Sequence, residues 1–270
     1  MNDSTKANNK GTAVVTGASA GLGKVYADRL AQRGFDLVLV ARSQDKLESL
    51  AAGLRSDYGV AVRTLVADLS AETDLEKVAA DISADASITL LVNNAGASTL
   101  GSVFDLSDAK RDEMNKVNVT ALVRLSHAIV PQFKARDRGT LINIGSVLGF
   151  FNLPISTVYS GTKGYVASFT HGLQQEVAET KVVVQLVLPA ATATDIWEKS
   201  GVPITVLDPA SVMTPEDCVD AALAGLDLGE AVTLPAVENA ELYAAYQAAA
   251  AALFGASQNG KPASRYGIKH

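Results

Sequence analysis

The chain has 270 residues, of which 48% are hydrophobic and 19% charged, and 23 basic against 29 acidic residues give a formal net charge of −6. This composition excludes the disordered class, which pairs low hydrophobicity with high charge, and the acidic balance argues against sequence-independent binding of nucleic acid. The longest apolar run, Ala248–Phe254, is far shorter than the ~20 residues of a membrane span. The polar N-terminus lacks a signal-peptide pattern, and the single cysteine, Cys218, cannot form an internal disulfide. We therefore expect a cytoplasmic protein that binds neither nucleic acid nor membranes.

Short β-branched and leucine-rich segments alternate with helical patterns along the chain. The predicted strands are Thr12–Thr16, Asp36–Ala41, Ala61–Val66, Ile88–Val92, Thr140–Gly145, Val182–Leu188 and Ala231–Leu234. The predicted helices are Leu22–Arg33, Asp45–Ser56, Glu72–Ser83, about 108–133, about 157–179, one beginning at Thr214-Pro215, and the alanine-rich segment Ala240–Ala252. This order predicts one α/β domain over 1–270, doubly wound (Rossmann-type), with a seven-stranded, mainly parallel sheet flanked by helices on both faces. Residues 1–10 are expected to be flexible, and 257–270 to form a C-terminal tail.

A glycine-rich turn follows the first predicted strand. Thr16 leads into the spacing Gly-x-x-x-Gly-x-Gly and then into a helix, with Gly17, Ser19, Gly21, Leu22 and Gly23 in the turn. Glycines let the backbone approach a pyrophosphate, and the amides at the helix start stabilise its charge. The alternative is an ordinary strand–helix turn. The flanking strand and helix favour a dinucleotide site at this end of the sheet.

The second predicted strand ends on Ala41 and is followed by Arg42 and Ser43. A basic residue here favours the 2′-phosphate of NADP, whereas an acidic one would favour the 2′-hydroxyl of NAD. The Arg42 fork can take two phosphate oxygens, and Ser43 can add a hydroxyl donor. Alternatively, Arg42 is a solvated surface charge and Ser43 a helix N-cap. We predict NADP(H) as the cofactor.

Polar side chains cluster around later strand ends. Tyr159 and Lys163 stand four residues apart, hence on one face of a helix, which alone is a weak signal. Ser146 follows the fifth predicted strand, and Asn93-Asn94-Ala95-Gly96 ends the fourth, so both reach the edge where ligands bind. Asn118 lies in an apolar helix, where an amide needs hydrogen-bond partners. His127, His171 and His270 have no metal-ligand spacing, so we expect no metal site.

Together these motifs resemble the short-chain dehydrogenase/reductase family, from about Gly11 to Val232. The resemblance implies a catalytic set of Asn118, Ser146, Tyr159 and Lys163. It implies cofactor contacts from the glycine turn, from Arg42 and Ser43, and from Asp68, Leu69, Asn94, Ala95, Gly96, Tyr159, Lys163, Pro189, Thr192 and Thr194. One departure is Ala190, where the family commonly has glycine; its Cβ disfavours positive φ, which puts the cofactor contact there in doubt.

The resemblance also implies a mechanism. Hydride transfer from NADPH to a carbonyl carbon would leave an alkoxide, and Tyr159 would protonate it while Ser146 polarises the carbonyl. We expect the Lys163 ammonium to bring the Tyr159 pKa from near 10 towards 7 and to bind the nicotinamide ribose. Asn118 would hold a water that links Lys163 to solvent.

Substrate and partners follow from the loops and the long helices. The apolar segment 149–155 and the substrate lid 191–212 predict a hydrophobic ketone or alcohol as the small-molecule substrate. The alternatives are a 3-oxoacyl thioester reductase, a non-catalytic NADP(H)-binding sensor, and an epimerase or dehydratase on the same fold. The two long helices resemble the family's oligomer-forming faces, so a homotetramer or homodimer is expected.

Overall fold

The computed structural model describes residues 10–268, which contain a seven-stranded sheet in the order β3-β2-β1-β4-β5-β6-β7. Every neighbouring pair of strands is parallel, as expected for strands joined by crossover helices. The strands are β1 (Thr12–Thr16), β2 (Asp36–Ala41), β3 (Val62–Val66), β4 (Ile88–Asn93), β5 (Gly139–Ile144), β6 (Val182–Val187) and β7 (Val232–Thr233). The predicted doubly wound sheet is confirmed, with strand ends differing by at most one residue.

Nine α-helices accompany the sheet in the described part of the chain. They are α1 (Gly21–Gln32), α2 (Gln44–Tyr58), α3 (Glu72–Ala84), α4 (Asp108–Asn115), α5 (Leu122–Ala135), α6 (Thr157–Glu176), α7 (Ile196–Ser200), α8 (Pro215–Asp227) and α9 (Glu241–Ser257). The start of α8 is as predicted: Thr214 accepts a hydrogen bond from the amide of Asp217, and Pro215 stands at the first helical position.

Residues 108–133 do not form the single α-helix that was predicted. A π-helical segment, Lys116–Ala121, separates α4 from α5. The wider π turn inserts an extra residue into the helix and rotates the side chains on either side relative to one another, and such turns often occur at functional sites. Asn118 lies inside this turn and is buried.

Apolar side chains cover both faces of the sheet. One cluster joins the strands to α1, α2 and α8, with Leu30, Leu47 and Val219 among its buried members. The other joins them to α3, α5 and α6, with Leu75 and Leu125. Burial on both faces explains why the strands read as nearly continuous apolar runs, and it leaves the ends of the strands as the place for polar chemistry.

The chain forms two compact units, the first ending at Ala236 and the second beginning at Val237. The first contains the sheet and α1–α8. The second contains α9, which has no buried residue, and a short 3-10 turn, Ser264–Tyr266, in the segment predicted as a tail. Membership of the C-terminal unit in the same domain stays a prediction, and the segment expected to be flexible falls, save Lys10, outside the described residues. In the described chain no helix combines the length and hydropathy of a membrane span.

Candidate active site

The predicted site residues follow the carboxyl ends of successive strands. The sheet is parallel, so these ends meet along one edge. The turn with Gly17 follows β1, Arg42 follows β2, and Asp68 follows β3. Asn94, Ser146 and Pro189 follow β4, β5 and β6 in the same way.

The glycine turn has the backbone that its sequence predicts. Gly17 and Gly21 adopt φ of +67° and +52°, in the left-handed region that favours glycine. A Cβ at Gly23 would lie 2.3 Å from the carbonyl oxygen of Gly17, so this position has no room for a side chain. Asn94 donates from Nδ2 to the carbonyl of Thr16 at 2.8 Å, and thereby ties the turn to the end of β4.

The start of α1 fits an anionic ligand. Its N-cap, Ala20, supplies no side-chain hydrogen bond, and its first turn, which contains Leu22, holds no acidic residue. The amides of such a turn and the positive end of the helix dipole suit the phosphates of a dinucleotide. Ser19 is partly buried in this turn, and the methyl group of Thr194 would lie 3.2 Å from a Cβ at Gly21. The residues present therefore fit a dinucleotide cofactor.

Arg42 is exposed beside the turn, with 62% of its side chain accessible, and its Nη1 lies 3.7 Å from Oε1 of Glu113 on α4. It is thus paired loosely with a carboxylate while remaining open to solvent. Ser43 precedes α2 without making a side-chain capping bond, so the N-cap alternative for its hydroxyl is not realised.

Asp68 is held in a turn at the end of β3. Its Oδ1 accepts hydrogen bonds from the amide and the hydroxyl of Ser70 at 2.9 and 2.7 Å. Partial burial acts to raise the pKa of Asp68, but these bonds and the charge of Arg42 outweigh it and lower the pKa below its usual value. The next residue, Leu69, is buried in the apolar cluster. Ala71, which offers no side-chain cap, precedes α3, while the hydroxyl of Ser70 donates to Asp68.

Ser146, Tyr159 and Lys163 come together between β5 and α6. Lys163 is 5% exposed, donates from Nζ to the carbonyl of Ile144 at 2.8 Å, and lies 5.7 Å above the centroid of the Tyr159 ring. The hydroxyl of Ser146 accepts from the amide of Leu148 at 3.2 Å and hydrogen-bonds Tyr159. The phenol, the hydroxyl and the amine thus face one small region.

Burial dominates the proton equilibria of this group. It raises the pKa of Tyr159 to about 12, against a smaller lowering by the hydrogen bond with Ser146. It also lowers the pKa of Lys163 to about 8. The expected shift of the Tyr159 pKa towards 7 is therefore not found in the protein alone: removal of the phenolate from water costs more than the hydrogen bond with Ser146 returns.

The carboxamide of Asn118 hydrogen-bonds the backbone of a neighbouring loop. Its Oδ1 accepts from the amide of Ala97 at 2.7 Å, and its Nδ2 donates to the carbonyl of Ala97 at 2.9 Å and to Oγ1 of Thr162 at 3.0 Å. Both amide hydrogens are thus donated to protein atoms. In this geometry Asn118 fixes the segment that follows Asn94, Ala95 and Gly96.

Two residues whose hydroxyl groups connect these motifs were not singled out from the sequence. Thr16 accepts from the amides of Asn94 and Ala95, each at 3.0 Å, and thereby links the first motif to the second. Thr162 contacts Asn118. Both stand inside motifs that were examined, but their partners are distant in sequence.

The segment after β6 is bonded to a later part of the chain. Thr192 pairs with Met213 in an isolated parallel bridge, and its carbonyl accepts from Nε1 of Trp197 at 2.8 Å. Among the described non-glycine residues, Asp137 alone has positive φ. Ala190 therefore takes an ordinary backbone conformation, and the departure from glycine causes no strain. Ser146 donates to the carbonyl of Pro189 at 3.5 Å.

Several loops that follow the site residues in sequence expose apolar side chains. Residues between Ser146 and Tyr159 expose Phe151 (63%), Phe150, Leu153 and Ile155, and Phe104 is 92% exposed. The amides of Leu100 and Gly101 donate to the carbonyls of Ser200 and Ile155, which connects these loops to the segment predicted as a lid. That segment contains a cavity of about 480 Å³ lined mainly by residues 193–205.

Comparison with known proteins agrees with this architecture. The sequence model of a protein family described as "short chain dehydrogenase" matches residues 11–203 of this chain. A short-chain dehydrogenase from Sphingobium yanoikuyae, solved in complex with NADPH, superposes with a TM-score of 0.91 at 40% identity and covers 95% of this chain and 100% of its own. The bulky-bulky ketone specific alcohol dehydrogenase from Comamonas testosteroni gives 0.87 at 36%, covering 96% and 99%.

Among curated proteins, very-long-chain 3-oxoacyl-CoA reductase-A from Danio rerio is 39% identical over 186 residues, which is 67% of this chain. The chain spans 58% of the length of that relative. The family match, the sheet order and the placement of the motifs lead to one conclusion: this chain belongs to the short-chain dehydrogenase family of oxidoreductases, which use a nicotinamide cofactor and act on CH–OH and C=O groups.

Proposed function

We propose that the protein reduces a hydrophobic ketone with NADPH, and oxidises the corresponding alcohol in reverse. The observation that carries this proposal is the convergence of Tyr159, Ser146 and Lys163 beneath loops whose exposed side chains are largely apolar. An acid, a carbonyl-polarising hydroxyl and a cation at one sheet edge are what carbonyl reduction requires of a protein.

The chain's own residues protonate and orient the substrate. Bound NADPH supplies the hydride. Tyr159 donates its phenolic proton to the developing alkoxide, and its raised pKa keeps the proton in place until that charge develops. Ser146 hydrogen-bonds the carbonyl oxygen, while the Lys163 ammonium stabilises the phenolate left on Tyr159 and binds the nicotinamide ribose. Asn118 positions the loop at Ala97 through its carboxamide and is further proposed to hold a water that links Lys163 to solvent.

The cofactor is held along the whole edge of the sheet. Gly17, Ser19, Gly21, Leu22 and Gly23 cradle the pyrophosphate. Arg42 and Ser43 take the 2′-phosphate, since Arg42 is exposed and its neighbour Glu113 contacts one of its nitrogens at 3.7 Å, which leaves the rest of the fork for oxygens. The adenine and nicotinamide ends are held by Asp68, Leu69, Asn94, Ala95, Gly96, Lys163, Pro189, Thr192 and Thr194. The Sphingobium yanoikuyae protein, solved with NADPH, supports this preference.

An uncharged substrate fits the charges of the surrounding loops. Asp195, Glu198 and Asp208 lie in the lid segment with one cation, Lys199. These carboxylates disfavour the phosphates of coenzyme A, whereas the exposed phenylalanines favour bulky apolar substituents. The bulky-bulky ketone specific enzyme from Comamonas testosteroni supports the same substrate class. The second candidate is a 3-oxoacyl thioester reductase, which the Danio rerio relative favours.

A paired assay tests both the cofactor and the substrate. Oxidation of NADPH and NADH is followed with aryl-alkyl ketones and with a 3-oxoacyl-CoA. We expect kcat/KM at least tenfold higher with NADPH and with ketones, and Arg42→Ala is expected to remove the NADPH preference. Faster turnover of the thioester would establish the second candidate, a preference for NADH would contradict the cofactor assignment, and cofactor binding without any turnover would indicate a sensor.

The activity should depend on pH through Lys163. Burial lowers the pKa of Lys163 to about 8, while Tyr159 keeps its proton up to about 12. Below pH 8 the pair therefore carries both the ammonium and the phenol that ketone reduction requires. We expect kcat/KM for NADPH, which reports on the free enzyme, to fall as the pH rises above about 8. A flat profile from pH 7 to 10 would contradict this assignment.

The protein is further proposed to be a cytoplasmic homotetramer or homodimer. Tyr165 is 49% exposed and lines a groove of about 340 Å³ together with residues of the π turn and of α5, among them Val119, Val123 and Arg124, so the long helices share a partly apolar surface. The buried thiol of Cys218 suits a reducing compartment. A mass near the monomer value of 28.1 kDa in sedimentation would exclude the oligomer.

A further inference from the structure

Thr162 lies between the two reactive residues of α6 and is 3% exposed. Its hydroxyl donates to the carbonyl of Tyr159 at 2.7 Å and accepts from Nδ2 of Asn118 at 3.0 Å. One oxygen therefore joins the backbone of the proposed acid to the π turn, across 44 residues of sequence.

Asn118 links Thr162 to the loop that contains Gly96 and Ala97. Its carboxamide bonds both the amide and the carbonyl of Ala97, the residue after Gly96. The loop runs close to the amine: a Cβ at Gly96 would lie 4.0 Å from Nζ of Lys163 and 3.6 Å from Oδ1 of Asn118. A change in the orientation of Asn118 would therefore move the loop relative to Lys163.

We infer that Thr162 is a positioning residue for the reaction. It sets the register between α6, which carries Tyr159 and Lys163, and the Gly96–Ala97 loop, in which Gly96 is proposed to contact the cofactor. The inference rests on the proposed function, because hydride transfer needs the ring and the acid to be aligned within a fraction of an ångström. Valine has nearly the same shape as threonine, but it leaves one Nδ2 hydrogen of Asn118 buried without an acceptor.

The same helix contains a matched control. Thr170 is fully buried, donates to the carbonyl of Val166 at 2.7 Å and accepts from Nδ2 of Asn143 at 3.0 Å. It therefore repeats the bonding of Thr162 two turns further along α6. Thr170→Val removes an equivalent set of bonds. Within the described chain its partner Asn143 bonds Asn93 in β4 and neither Ala97 nor Asn118, so this variant measures the cost of a lost buried threonine hydroxyl.

The test compares Thr162→Val, Thr162→Ser and Thr170→Val in the full chain. The first readout is amide hydrogen exchange at Ala97 without cofactor, because this amide donates to Asn118. We expect Thr162→Val to speed this exchange at least tenfold, Thr170→Val to change it less than threefold, and Thr162→Ser to restore the slow rate. The second readout is kcat for ketone reduction. We expect a 10- to 100-fold loss in Thr162→Val and a loss of less than threefold in Thr170→Val, although the two variants should lower Tm by similar amounts.

Equal exchange rates or equal kcat values in the two valine variants would overturn the inference, because the role of Thr162 would then be structural. Failure of serine to restore both readouts would overturn it as well. The exchange measurement needs neither cofactor nor turnover. A wild-type protein without ketone reductase activity would therefore contradict the proposed function, while the exchange result would still decide whether Thr162 holds the loop.

Discussion

Tyr159→Phe is expected to lower kcat for ketone reduction by about 10²- to 10⁴-fold, the usual contribution of a general acid. The substitution removes one oxygen, and the ring keeps its place against Lys163, 5.7 Å away. Binding of NADPH, measured by fluorescence titration, should stay within about threefold of wild type, because the phenol acts on the substrate oxygen. The expected signature is a loss of kcat without a loss of cofactor affinity.

The same helix offers a control for this experiment. Tyr165 is 49% exposed and stacks on Phe169 with ring centroids 6.3 Å apart. Tyr165→Phe removes a hydroxyl outside the site and should keep kcat within about twofold of wild type. If Tyr159→Phe retained turnover comparable to Tyr165→Phe, the proton would have to come from another group and the proposed mechanism would be wrong.

The sequence predicted the sheet well because the central strands are buried on both faces. Continuous apolar runs such as residues 37–41 in β2 have no helical period, and glycine or polar residues mark their ends. The same logic located the site, since parallel strands present their carboxyl ends at one edge. Even the short strand β7, predicted as Ala231–Leu234, forms over Val232–Thr233.

Other features depend on contacts that sequence patterns do not reveal. The helical period predicts one helix through Asn118, and the π turn forms where that side chain bonds Ala97, 21 residues away. The pKa of Tyr159 also depends on contacts between residues distant in sequence. A lysine one helical turn from a tyrosine predicts a lowered tyrosine pKa. The desolvation that instead raises the pKa of Tyr159 depends on how the folded chain covers this side chain.

Gly23→Ala is expected to weaken NADPH binding by roughly 10- to 100-fold, in proportion to the 1–3 kcal/mol that overpacking costs. The new Cβ would lie 2.3 Å from the carbonyl oxygen of Gly17 and 2.5 Å from Nδ2 of Asn94. The first of these is a backbone atom, so the turn itself must shift. That shift displaces the amides proposed to hold the pyrophosphate, and titration calorimetry with NADPH measures the loss.

Gly53→Ala is the matched control, because Gly53 lies in α2 and a Cβ there meets no atom within 4 Å. It should raise the free energy of unfolding by up to ~1 kcal/mol through higher helix propensity, and leave NADPH affinity unchanged. Loss of affinity in Gly23→Ala alone would assign the effect to the turn. Unchanged affinity in both variants would mean that the pyrophosphate is held elsewhere, since no dinucleotide held by the turn amides could bind the displaced turn equally well.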